Sequence, residues 1–237
     1  MSDQIPQIKV PFKAPEQKLI PYAFANSKAD SFYLSVFGGL PWLQKPEDNK
    51  LNEKEKQIKQ KVQEIQGKLK PDLPKLSDVF VEKVVILAEE LKCSPEDLLA
   101  IMYKESGGWD PSIVAKDKNG EILYGGLIQM NKTSLKVVAD KYADKLNLKE
   151  NISMNEYLKL SREKQIDYAK GYFTLLKTAC NLDNKKHLTA GETWGMLKSP
   201  RLTKARNQRF LNKLDNYVER IKKEIFIQEG QHLNVKN

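Results

Sequence analysis

The sequence predicts a mainly α-helical protein with one short hairpin or loop region, preceded by an extended N-terminal arm and an exposed helix. Three observations predict it. Apolar residues recur at helical spacing through most of the chain after residue 75. Ser94-Pro95-Glu96-Asp97 restarts a helix, with Ser94 as N-cap, Pro95 in the first turn and Asp97 as capping-box partner. One stretch, KDKNGEILYGGLIQM at 116–130, is instead rich in turn residues and suits a hairpin.

In chain order, residues 1–46 carry six prolines and scattered aromatics, the pattern of an extended arm that docks on a partner or on the main domain. From Lys50 to Lys70 strong helix formers dominate, but Leu51, Ile58, Val62, Ile65 and Leu69 make only a thin apolar stripe. That fits a solvent-exposed or partner-seeking helix. PDLP at 71–74 ends it and sets the expected main boundary: arm and charged helix over 1–75, main domain over 76–230, tail over 231–237. Val79, Phe80, Val84, Leu87, Ala88 and Leu91 place a core helix over 78–92, and the next runs from Pro95 to about Ser106. Further helices are expected over 131–148, 153–159, 161–178, 189–197 and 202–226.

Length and composition narrow the function. The 237 residues are 40% apolar and 30% charged, which suits an ordinary core under a heavily charged surface. No apolar run approaches the roughly 18 residues of a membrane span. The start, MSDQIPQIKVPFKAPEQKL, lacks the basic-then-apolar pattern of a secretory signal, so delivery by other means is expected. The net charge of +9 favours polyanionic surroundings, and nine Lys/Arg face two acids between Lys198 and Lys223. The case for nucleic acid rests on charge alone, with no zinc finger or aromatic RNA motif beside it, so nucleic acid is not expected as the partner. Cys93, Cys180, His187 and His232 show no metal-ligand spacing, so no metal and no cofactor are expected; a Cys93–Cys180 pair is left open.

The chemistry centres on Glu105. It lies four residues after Ile101, three after Met102 and seven after Leu98, on one helix face with them. Burial disfavours its charged form, and so does the partial negative charge of the helix end. Both effects favour the protonated carboxyl that a general acid needs. Gly107-Gly108 then end the helix and let a ligand approach the backbone.

The order Glu105-Ser-Gly-Gly-Trp-Asp-Pro111, then Tyr124-Gly-Gly-Leu-Ile-Gln-Met130, then SREKQIDYAKGYFTLLK at 161–177 resembles the lysozyme-like superfamily. The likeness is to its soluble lytic transglycosylase and goose-type lysozyme branch, phage-associated type, and covers about 76–200. The resemblance implies a helical lysozyme-like domain whose hairpin region lines a cleft, acting on peptidoglycan. It makes Glu105 the acid/base that protonates the oxygen between N-acetylmuramic acid and N-acetylglucosamine. It makes Ser106 a supporting residue, and Gly126, Leu127, Ile128 and Gln129 the cleft lining. Tyr172 becomes the tyrosine facing the glutamate. Tyr124, Trp109 and Trp194 are candidate faces for sugar rings. The later Ala-Tyr-Asn-Ala-Gly motif of many transglycosylases is absent; Leu188 to Met196 reads LTAGETWGM.

An inverting hydrolase needs a second carboxylate about 6.5–9.5 Å from the acid, for which Asp110, Asp117 and Glu121 are candidates. Without one, Glu105 acts as acid and then base, and the product is the 1,6-anhydro sugar. The expected setting is a phage particle, tail or secretion machine joined through residues 1–75, so that the enzyme is virion-associated or delivered to the periplasm or wall. A catalytically inactive lysozyme-like structural or binding protein is the competing reading.

Overall fold

The computed structural model describes residues 46–228. The arm expected before Pro46 and the tail over 231–237, with His232, lie outside them. From Glu47 onward the described residues belong to one compact unit, mainly helical with a single two-stranded sheet. Its elements are α1 (Pro46–Lys68), α2 (Asp78–Leu91), α3 (Pro95–Ser106), β1 (Val114–Lys116), β2 (Ile122–Gly125), α4 (Lys132–Leu146), α5 (Met154–Tyr157), α6 (Arg162–Ala179), α7 (Ala190–Lys198), α8 (Pro200–Lys204) and α9 (Gln208–Ile225).

Local chemistry sets the boundaries. Ser77, Ser94, Asn131, Ser153, Ser161, Thr189 and Asn207 each accept a hydrogen bond from a first-turn backbone N–H of the helix that follows. The hairpin overlaps the turn-rich stretch, with β1 starting two residues before it; Val114 lies opposite Gly125 and Lys116 opposite Ile122, with a bulge between Ala115 and Lys116. No described helix is long and apolar enough to cross a membrane.

Two elements differ from their sequence expectation. The helix expected over 202–226 is two, α8 and α9, because Arg206 takes φ 54° and Asn207 caps a new start through Phe210 N–H. Arg206 is held there from outside the segment: its guanidinium donates to Glu192 at 2.9 Å and to the Asn181 carbonyl at 3.2 Å. The thin stripe of α1 also does more than expected. Residues 53–57 are exposed, but Val62 and Ile65 are buried in the same core as α2 and α3. Leu69 bridges Phe226, and Ile227 N–H donates to Lys68 O at 2.7 Å, so the end of α1 is tied to the end of α9 across the PDLP turn.

The core gathers Phe80, Val84, Leu98, Ile101, Met102, Leu127 and Phe173, each fully buried. Burying one such side chain is worth roughly 1.5–3 kcal/mol. Helices α7 and α9 pack closely because Gly191 and Gly195 line one flank of α7. A Cβ on Gly191 would strike the Leu211 carbonyl, and one on Gly195 would sit 2.5 Å from Thr203 Oγ1. Both cysteines are buried and unpaired. Burial pushes the Cys93 thiol up to about 12 and the Cys180 thiol up to about 11.

Candidate active site

Glu105 occupies the last turn of α3. Leu98, Ile101 and Met102 bury one face of that helix, which turns Glu105 inward with them. Gly107 closes the helix in the left-handed region, φ 61°, and its N–H and that of Gly108 both reach the Tyr103 carbonyl. The Glu105 side chain is only 5% exposed. Its partners come from α7: Trp194 Nε1–H donates to Oε1 at 2.5 Å, and the Lys198 ammonium lies 2.7 Å from Oε1 and 2.9 Å from Oε2. The carboxylate is thus buried at a helix end and at the same time held by two charge-assisted donors that the local sequence does not display.

Helix α7 is pinned from behind. Thr189 and Glu192 form a capping box, and the buried Glu192 also accepts from Lys185 at 2.6 Å and from Arg206 at 2.9 Å. Gly191 N–H donates to Asp215 of α9 at 2.6 Å. The Trp194 ring rests against Tyr217 of α9, centroids 5.4 Å apart. Trp194 is buried, so its indole N–H, rather than an open ring face, is what it presents to the site. Trp109 is fully buried and spends its own N–H on the Leu99 carbonyl at 2.9 Å; it is a core residue, not a sugar platform. Ser106 is buried too, with its hydroxyl turned back to Met102 O at 2.6 Å.

The Tyr124–Met130 segment forms a tight turn closed by the Gly125–Met130 bridge. Gly126 takes φ 79°, and a Cβ there would lie 2.5 Å from Gln165 Oε1 and 2.7 Å from Tyr157 Cε1. Its N–H donates to Ile113 O, and its carbonyl accepts from the Gln129 N–H and side-chain amide. Leu127 and Ile128 point into the core. What the turn leaves to solvent is the Tyr124 ring, 45% exposed, and part of Gln129.

Gln165 of α6, which the sequence reading passed over, holds this turn. It is fully buried; its Oε1 accepts from Leu127 N–H at 3.0 Å, and its Nε2 donates to Pro111 O at 2.8 Å and Tyr157 O at 3.0 Å. The one available signal was a polar residue at a core-facing position of an amphipathic helix. Tyr157 OH is buried beside Gly126 and has no hydrogen-bond partner among the described residues; burial pushes its phenol up. Tyr172 is half-buried on the same side of the molecule as the turn, beside Ser134 and near Tyr124, and burial pushes its phenol up as well. It is not among the hydrogen-bond partners of Glu105.

The candidate second carboxylates are turn makers. Asp110 accepts from the Ser112 N–H and hydroxyl at 2.8 and 2.7 Å, which holds its carboxyl below the usual range. Asp117 accepts from the Asn119 and Glu121 N–H groups at 2.8 and 2.9 Å, and Glu121 is exposed. Among the described residues no group of His, Cys, Asp and Glu has the arrangement of a metal site.

Compared with known proteins, the chain matches no family model, no curated protein and no solved structure. The likeness to lysozyme-like enzymes therefore rests on the three motifs themselves.

Proposed function

We propose that this chain is a lysozyme-like glycosidase that cleaves the β-1,4 bond between N-acetylmuramic acid and N-acetylglucosamine in peptidoglycan, with Glu105 as acid/base. One observation carries the reading: a glutamate that the motif singles out has its carboxylate drawn out of water at a helix end, yet within reach of the surface through Lys198. A solvated, fraying glutamate would make a poor general acid. Glu105 gives its proton to the glycosidic oxygen, and the electron pair of the broken C1–O bond leaves with that oxygen. The turn duties of Asp110 and Asp117 favour a single-carboxyl route. In it, the same glutamate next accepts a proton from the muramic acid C6 hydroxyl as that oxygen closes on C1, giving the anhydro product. Residues 1–75 would join the enzyme to a phage particle or secretion machine that delivers it to the wall.

A second reading has one observation in its favour. The Lys198 ion pair neutralises Glu105 as a structural salt bridge would, which suits an inactive lysozyme-like binding protein. Digestion of purified sacculi followed by mass spectrometry of the products decides between them. Wild type is expected to release anhydro-ended fragments and Glu105→Gln none. Equal release by both proteins removes Glu105 as the acid, and no release by either favours the binding protein.

A further inference from the structure

The surroundings of Glu105 hold more positive charge than one carboxylate needs. Lys198 is 46% exposed while its partner is 5% exposed, so the pair joins a buried anion to a cation on a flexible, surface-reaching stem. The same ammonium lies 5.6 Å from the Trp194 ring centroid. Tyr217, tilted against Trp194, carries two more cations: Lys104 at 5.5 Å and Arg220 at 4.7 Å from its centroid. Lys104 and Arg220 are exposed, and neither forms a salt bridge among the described residues. Two aromatic rings and three cations thus gather near the Glu105 carboxylate, with Glu224 the other acid within reach of Lys104. An acid catalyst hands its proton to the leaving oxygen from a carboxyl oxygen, and here Lys198 occupies both of them.

We infer that Lys198 is an exchangeable clasp, drawn off Glu105 by a carboxylate of the glycan strand that settles among Lys198, Lys104 and Arg220, so that Glu105 becomes free to take up its catalytic proton. The inference rests on the glycan-cleavage reading and adds a substrate preference to it: strands bearing carboxylates are cleaved faster than neutral ones. The proton reaches Glu105 from solvent and passes to the glycosidic oxygen; the carboxylate of the strand forms and breaks no bond. Lys198 acts here as a positioning and specificity residue.

Three forms of one glycan preparation test it: strands with stem peptides, strands stripped by an amidase so that the lactyl carboxylate is free, and stripped strands coupled to methylamine, which are neutral. Wild type should cleave at least one carboxylate-bearing form with kcat/KM about tenfold above the neutral form, the size of one charge-assisted contact. The better of the two anionic forms identifies the stem or the lactyl carboxylate as the trigger. Lys198→Met should bring the ratio to about one by losing rate on the anionic strands and gaining it on the neutral ones, and Lys198→Arg should restore most of it. A circular-dichroism melt checks that each variant is folded, with Lys198→Gln as a second neutral replacement. A ratio that survives in Lys198→Met overturns the clasp. Equal cleavage of all three forms by wild type overturns the clasp alone, whereas cleavage of none overturns glycan cleavage and the clasp together.

Discussion

The two regions singled out by the motifs are held in opposite ways. The Glu105 end is fastened by an ion pair whose cation is 46% exposed, and the Tyr124–Met130 turn by Gln165, which is fully buried. The Lys198 end of that pair reaches solvent and can change partners, whereas its buried Glu105 end is screened little by salt. A buried amide with three backbone partners keeps them, because each broken contact leaves a polar group without water. The contrast separates a fastening that can exchange its partner from one that keeps its shape.

The largest expected effect breaks the Glu105 side. Glu105→Gln should lower wall clearing by about 10²–10⁴-fold, the usual range for a general acid, with the unfolding midpoint nearly unchanged in a parallel urea titration. Next comes the rigid side. Gln165→Leu should cost about 3 kcal/mol in the same titration, since it strands the Leu127 N–H and the Pro111 and Tyr157 carbonyls. A cost below about 1 kcal/mol would show that the turn is not fixed by this residue. Trp194→Phe keeps a ring against Tyr217 and removes the N–H donated to Glu105. It should reduce kcat by about tenfold, because the carboxyl loses the contact that aims it, and leave KM nearly constant.

Tyr157→Phe sharpens the comparison from the other direction. It removes a buried hydroxyl that lacks a described partner, so stability should rise by about 1 kcal/mol. A loss of that size would reveal a hydrogen bond to Tyr157. The smallest effect lies away from both regions. Glu156, bound by Lys149 and the Ser153 cap, has its carboxyl lowered to about 2, chiefly by the hydrogen bond from Lys149. Its contribution is fully present above the ordinary value of 4.5 and is lost as pH falls through about 2. Glu156→Gln should therefore flatten the acid limb of a thermal-melt series and leave neutral melts nearly unchanged.

Local signals account for most of the fold that the sequence revealed. Ser94-Pro95 begins α3, and the turn-rich 116–130 stretch holds β2 and part of β1. The break before α9 escaped notice because its cause, the Arg206 contact with Glu192 and Asn181, joins residues far apart in the chain. The same limit applied to the site. Offsets from Leu98, Ile101 and Met102 were enough to turn Glu105 inward, but nothing near residue 105 announces Lys198, which is 93 positions away. Lys198 read only as the start of a basic run. Trp109, a candidate sugar face under the resemblance, is instead fixed in the core by packing and by its bond to the Leu99 carbonyl.

The two unpaired cysteines carry a last consequence. With Cys93 and Cys180 both shut inside and their thiolates disfavoured, the chain completes its fold without an oxidant and offers little for glutathione or peroxide to attack. Both thiols should therefore stay free whether the surroundings are reducing or oxidising, and alkylating reagents should reach them only after the domain has come apart.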